Sequence, residues 1–131
     1  MLFRSTIHRV YFPDAMDDIS RKLIAISLLT SFSQLSAELV GRRYGSGVLK
    51  HEPREAEKIR ILLPKLGPAA IEKTFSAVDR DLRAGDRERA MKRADKLVFS
   101  SIKLDDQAAI STALSRALDR IRQSRRPRRG A

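Results

Sequence analysis

The chain has 131 residues, with 27 lysines and arginines against 16 aspartates and glutamates, giving a formal net charge of +11 and a pI near 10.8. That length allows one domain or part of a larger protein, and the basic balance favours a polyanionic partner, DNA or RNA first. Without cysteine there is no disulfide frame, no thiolate zinc site and no cysteine nucleophile, and apolar runs such as Leu23–Ile26, cut by Ser27, are too short to span a bilayer.

Residues 2–12 are rich in aromatic and β-branched types and read as a strand ended by Pro13. Arg4 and Arg9 interrupt what would be the apolar segment of a signal peptide, so a soluble, cytoplasmic protein with no membrane partner is expected. Asp14 is a candidate helix cap, with Asp17 and Asp18 in a first turn where the helix dipole favours negative charge. Ile19, Leu23, Ile26, Leu29, Phe32, Leu35 and Leu39 then recur at steps of three and four. This predicts one long apolar helix, flanked by Ser27, Thr30, Ser31, Ser33 and Ser36, whose short hydroxyl side chains let a neighbour approach closely. Gly41 or Gly45 supplies its stop.

Residues 48–51 read as a short strand leaving a glycine-rich turn, Pro53 as the first position of a brief helical turn, and residues 59–63 as an extended segment closed by Pro64. After Gly67-Pro68 the composition shifts to three helical patterns, at residues 69–83, 86–100 and 104–122. Asp86-x-x-Arg89 lacks the glutamate of a capping box, so the second of these has a weaker start signal. Short links predict antiparallel packing. Residues 116–131 carry seven arginines against Asp119, a net of +6, which leaves +5 for the first 115 residues. Residues 124–131 read as a disordered basic tail.

The turn Gly41-Arg42-Arg43-Tyr44-Gly45-Ser46-Gly47 is the best candidate for a working site. Gly45 and Gly47 permit backbone N–H groups to reach a phosphate, Arg42 and Arg43 can fork onto phosphate or guanine, and Tyr44 can stack on a base. The competing reading is a helix C-cap, with arginines near the negative helix end and the tyrosine on the core. Neither a Walker loop nor a dinucleotide fingerprint is present, because here the glycines close a helix and open a strand. His8 and His51 lie too far apart, without further ligands, to suggest zinc. Glu52, Glu55 and Glu57 sit among Arg54, Lys58 and Arg60 and read as a salt-bridged surface turn rather than an acid–base site. Arg125, Arg126, Arg128 and Arg129 of the tail either contact phosphates without sequence preference or solubilise the chain end.

The residues Thr6-Ile7-His8-Arg9-Val10-Tyr11, Ala37-Glu38-Leu39, Gly41-Arg42-Arg43-Tyr44-Gly45-Ser46-Gly47-Val48-Leu49-Lys50, Glu52-Pro53-Arg54-Glu55-Ala56 and Leu63-Pro64 resemble the C-terminal part of adenine-specific (N6) DNA methyltransferases of restriction–modification type. The resemblance covers about residues 5–66, and Ser46 departs from the usual middle glycine. It implies the target-recognition side of such an enzyme, with DNA contacts from Arg42, Arg43, Tyr44, Gly45, Ser46, Gly47 and Lys50, assisted by Arg125, Arg126, Arg128 and Arg129. The parent enzymes use S-adenosylmethionine and a polar-Pro-Pro-aromatic motif that holds the flipped base. The five prolines of this chain are never adjacent and the glycine-rich cofactor loop is missing, so no catalytic, cofactor or metal residues are assigned here.

The expected fold is therefore α+β: a small sheet from residues 2–12, 48–51 and 59–63 on one long apolar helix, then a three-helix C-terminal part and a basic tail. The expected division is an α+β segment at 1–66, a helical segment at 67–123 and the tail at 124–131. The expected function is a DNA-binding recognition fragment served by a separate catalytic methyltransferase domain or subunit. The rival is a non-enzymatic helical protein-interaction module, or a truncated remnant.

Overall fold

The computed structural model describes residues 9–43, 49–100 and 106–125. Among these residues there are six helices: α1 (Asp18–Leu28), α2 (Ser31–Val40), α3 (Pro53–Ala56), α4 (Pro68–Arg83), α5 (Arg87–Ser100) and α6 (Gln107–Ser124). Two strands of two residues each, β1 (Arg42–Arg43) and β2 (Leu49–Lys50), pair antiparallel between α2 and α3. The α+β expectation is corrected to a mainly helical fold. Residues 9–12 and 59–63 have no regular secondary structure, and residues 2–8 and 48 lie outside the described residues.

The extended segment around Arg60 fails to become a strand because its backbone is satisfied by side chains. Ser33 Oγ donates to the Arg60 carbonyl at 2.8 Å, and the Arg60 N–H donates to Ser36 Oγ at 2.9 Å. Both serines belong to α2, so this segment is held to a helix by the hydroxyls that decorate it.

The single long helix expected across residues 19–39 is two helices bent by 66°. Asp17 caps α1, accepting the Ser20 N–H at 2.7 Å. At the break, Thr30 Oγ1 donates to the Ser27 carbonyl at 2.8 Å and accepts the Ser33 N–H at 3.2 Å. One hydroxyl thus serves the end of α1 and the start of α2, whose backbone groups lack helical partners. Ile19, Leu23, Leu29 and Phe32, on either side of the bend, still pack on one core, whereas Leu39, at the far end of α2, is 65% exposed.

The most buried helix is α5, where Ala90, Ala94, Asp95, Leu97, Val98 and Phe99 are all buried. It carries more charge than α1 or α2, but its charged positions Arg87, Glu88, Lys92 and Lys96 are exposed and its alanines let neighbours approach closely. Ile26, Ile71, Ala94, Leu97, Val98 and Phe99 form the core, with Leu23, Phe32, Phe75 and Leu114 packed against it. α4 packs on α5 and α1, and α6 on α2. Gly67 caps α4 with Pro68 at its first position. At the other end Gly85 adopts φ +78° and its N–H meets the Leu82 carbonyl, while the Asp86 N–H meets that of Asp81. This pair of bonds is the glycine-terminated helix stop that turns α4 back into α5. Asp86 then caps α5, accepting the Arg89 N–H at 3.0 Å, so the start with the weaker sequence signal is made by the aspartate alone.

Candidate nucleic-acid interface

The glycine-rich segment is joined at both ends by the β1–β2 pairing, in which Arg42 faces Lys50 and Arg43 faces Leu49. The helix stops at Gly41, one of the two glycines expected to end it, but it leads into a paired β-hairpin base where one short strand was expected. Strand β1 escapes sequence reading because two arginines have little strand character alone; pairing with β2 makes them a strand.

Two contacts fix this base to the end of α2, and a third ties it to α3. Gly41 caps the helix with φ −80°, a conformation open to any residue, so its small size rather than its flexibility is what matters. A Cβ there would sit 2.7 Å from Leu49 Cδ1, 2.8 Å from His51 Nε2 and 3.2 Å from the Ala37 carbonyl oxygen. His51 Nε2 lies 2.6 Å from that same carbonyl, which requires the proton on Nε2 for the ring to donate. Finally, Arg42 Nε donates to Glu55 Oε1 at 3.0 Å. The same oxygen accepts the Glu52 N–H at 3.0 Å in the capping box of α3.

In the turn read as salt-bridged at residues 52–60, Glu55 makes its ion pair with Arg42 of the hairpin base. The capping pattern Glu52-Pro53-x-Glu55 was the signal available in the sequence, since it places Glu55 on the first turn of α3 facing the preceding chain. Arg42 keeps its side chain 62% exposed, and an ion pair that open to water is weak enough to be exchanged for a phosphate. Lys50, directly across from it, is half-buried.

Of the other residues assigned to the site, Tyr44, Gly45, Ser46, Gly47, Arg126, Arg128 and Arg129 lie outside the described residues. Arg125 is placed against Glu38 of α2. Its Nε and Nη2 donate to Glu38 Oε2 and Oε1 at 3.0 and 2.9 Å, and Arg122 adds a third contact at 3.5 Å. Glu38 is 2% exposed, so these arginines neutralise a buried carboxylate and hold α6 to α2. Among the described residues no group of three or more His, Asp or Glu side chains could hold a metal ion.

The family model described as Type II methyltransferase M.Eco57I, C-terminal domain, matches residues 1–99. The chain belongs to that family. The resemblance read at residues 5–66 is thus borne out as a C-terminal part of a restriction–modification methyltransferase, and the match runs on through α4 and α5. It places the hairpin base, its α2 anchor and the α4–α5 pair within the M.Eco57I-type C-terminal domain. No curated protein and no solved structure matches the chain.

Proposed function

We propose that this M.Eco57I-type C-terminal domain is the DNA-contacting, target-recognition part of an adenine-specific methyltransferase. The carrying observation is the hairpin base, in which Arg42 and Lys50 face each other across two short strands anchored to the end of α2. A fixed base limits the conformational entropy lost when a loop settles on a duplex. Arg42 has a guanidinium that can leave Glu55 for a phosphate or a guanine edge, and Lys50 supplies a second cation beside it. Arg43, Tyr44 and the Gly45–Gly47 backbone complete the proposed contact surface. Arg125 is left out of it, because the Nε–Nη2 edge of its guanidinium is already committed to the buried Glu38 carboxylate.

The chemistry belongs elsewhere in this reading. The chain has neither adjacent prolines nor a glycine-rich cofactor loop, so S-adenosylmethionine and the base-holding motif are assigned to a separate catalytic domain or subunit. Binding of a labelled duplex by the intact chain tests the proposal, with Arg42→Ala/Arg43→Ala compared against deletion of residues 126–131. Loss of affinity in the double variant supports it. If the deletion alone weakens binding, the hairpin is a helix end and the tail does the work.

A further inference from the structure

A second surface, independent of the hairpin, lies along the outer side of the α4–α5 pair. It is a groove of about 390 Å³ walled by Lys73, Arg80, Arg93 and Lys96, with no carboxylate in its lining. Arg93 is engaged by Asp81, whereas Lys73, Arg80 and Lys96 have no ion-pair partner among the described residues. Its floor is small and largely apolar: Ala70, Thr74 and Ala77 from α4, and Leu97 and Ser100 from α5.

The positions are those of a helix-docking seam. On α4 the lining residues recur at 70, 73, 74, 77 and 80, and on α5 at 93, 96, 97 and 100. Steps of three and four put each set on one helical face, and the two faces meet along the groove. Small side chains in the floor let a third helix approach closely. The seam on α4 is roughly 15 Å long at 1.5 Å per residue, about three turns of a docked helix.

The floor decides between a helix and a phosphate backbone. The N–H groups of a helix interior are consumed by the helix itself, and Ser100 Oγ already donates to the Leu97 carbonyl. Phosphate oxygens set on that floor would lose water and gain few donors, whereas apolar side chains would gain by covering it. We infer that the α4–α5 groove docks an amphipathic helix of a partner protein, with an apolar seam on the floor and acidic flanks against Lys73, Arg80 and Lys96. A second copy of this chain does not fit, since no described helix presents an acidic face and the chain carries +11.

The probe is a fluorescent peptide of about 20 residues, beyond the length at which an isolated helix is marginal, with leucine and alanine on one face and glutamate on both flanks. It is titrated by anisotropy against the full chain, alongside a scrambled peptide of equal charge and a labelled duplex. Binding of the patterned peptide over the scrambled one is expected. Lys73→Glu/Arg80→Glu/Lys96→Glu should weaken it by about tenfold, while a lysine-flanked version of the peptide should bind that variant better than the original chain. Circular dichroism confirms that the variant is folded, and Lys73→Gln/Lys96→Gln gives the same direction with less charge change. Four results overturn the inference: no binding of the patterned peptide, equal binding of the scrambled one, indifference to charge reversal, or a loss of duplex binding with peptide binding intact.

Discussion

Ser31 gives both of its donors to Asp95: its N–H lies 2.8 Å from Oδ1 and its Oγ 2.7 Å from Oδ2. Ser111 of α6 adds a third hydrogen bond to Oδ2 at 2.6 Å. A carboxylate 2% exposed on α5 thus sits at the start of α2, where the helix dipole favours it, and ties α2, α5 and α6 together. Asp95→Ala orphans one buried N–H and two hydroxyls and should cost about 3–4 kcal/mol, whereas Ser31→Ala removes one charge-assisted bond and should cost about 1.5–2 kcal/mol. Urea unfolding of the two variants checks the order. Equal costs would mean that the carboxylate is not the organising group.

Glu38 makes a second tie, and its partners are unequal. Arg125 grips both of its oxygens, while Arg122 touches one at longer range and also donates to Gln34 at 3.1 Å. Because the arginines keep part of their side chains in water, their loss of a partner is less severe than for a fully buried pair. Glu38→Ala should therefore destabilise by about 2–3 kcal/mol and Arg125→Ala by about 1–2 kcal/mol. Duplex binding of Arg125→Ala should match the unaltered chain when both are folded. A fall in its affinity would return Arg125 to the DNA surface.

Ser27 offers the opposite case. Its Oγ is fully buried and finds no hydrogen-bond partner among the described residues, although its carbonyl serves Thr30. Ser27→Ala removes an unpaired polar atom and should be neutral or stabilising by up to about 1 kcal/mol. Thermal unfolding read by circular dichroism would show an unchanged or raised midpoint, and a clear drop would reveal a partner for the hydroxyl.

Gly85 and Gly41 are needed for different reasons, which substitution separates. At Gly85 nothing stands within 4 Å of an added Cβ, so Gly85→Ala meets backbone strain alone at φ +78° and should cost about 1–2 kcal/mol of global stability. At Gly41 the added methyl meets Leu49 and His51 side chains that can shift. Gly41→Ala should loosen the hairpin base, with weaker duplex binding and a smaller change in unfolding midpoint than Gly85→Ala. A larger stability loss at Gly41 would make the base a part of the folding core.

Much of the helical part was legible in the sequence. Ile71, Phe75, Val78 and Leu82 mark one face of α4, whose observed span is Pro68–Arg83, and the patterns at 86–100 and 104–122 became α5 and α6. The bend at Thr30 was hidden because apolar spacing runs straight through it, while the decisive bonds are from a hydroxyl to Ser27 and Ser33. The missing sheet has the same origin: the Arg60 backbone takes its partners from Ser33 and Ser36, a long-range contact that strand-like composition does not foretell. Nor does local pattern show that α5 is the central helix, since that depends on which of three similar helices the others surround. The motif singled out Arg42 and Lys50, but not their pairing across two strands, since two arginines have little strand character alone. The capping pattern signalled where Glu55 sits on α3, but neither its reach to Arg42 nor that of His51 to Ala37 was legible, because both act across more than ten positions of chain.

The most direct test of the central claim is the salt dependence of duplex binding by the intact chain and by Arg42→Ala/Lys50→Ala. Each phosphate contact contributes roughly 0.9 to the slope of log affinity against log salt. If both cations meet phosphates, the double variant should bind more weakly and its slope should fall by roughly 1.8 in magnitude. An unchanged slope and affinity, with the variant folded, would contradict a DNA contact at the hairpin base.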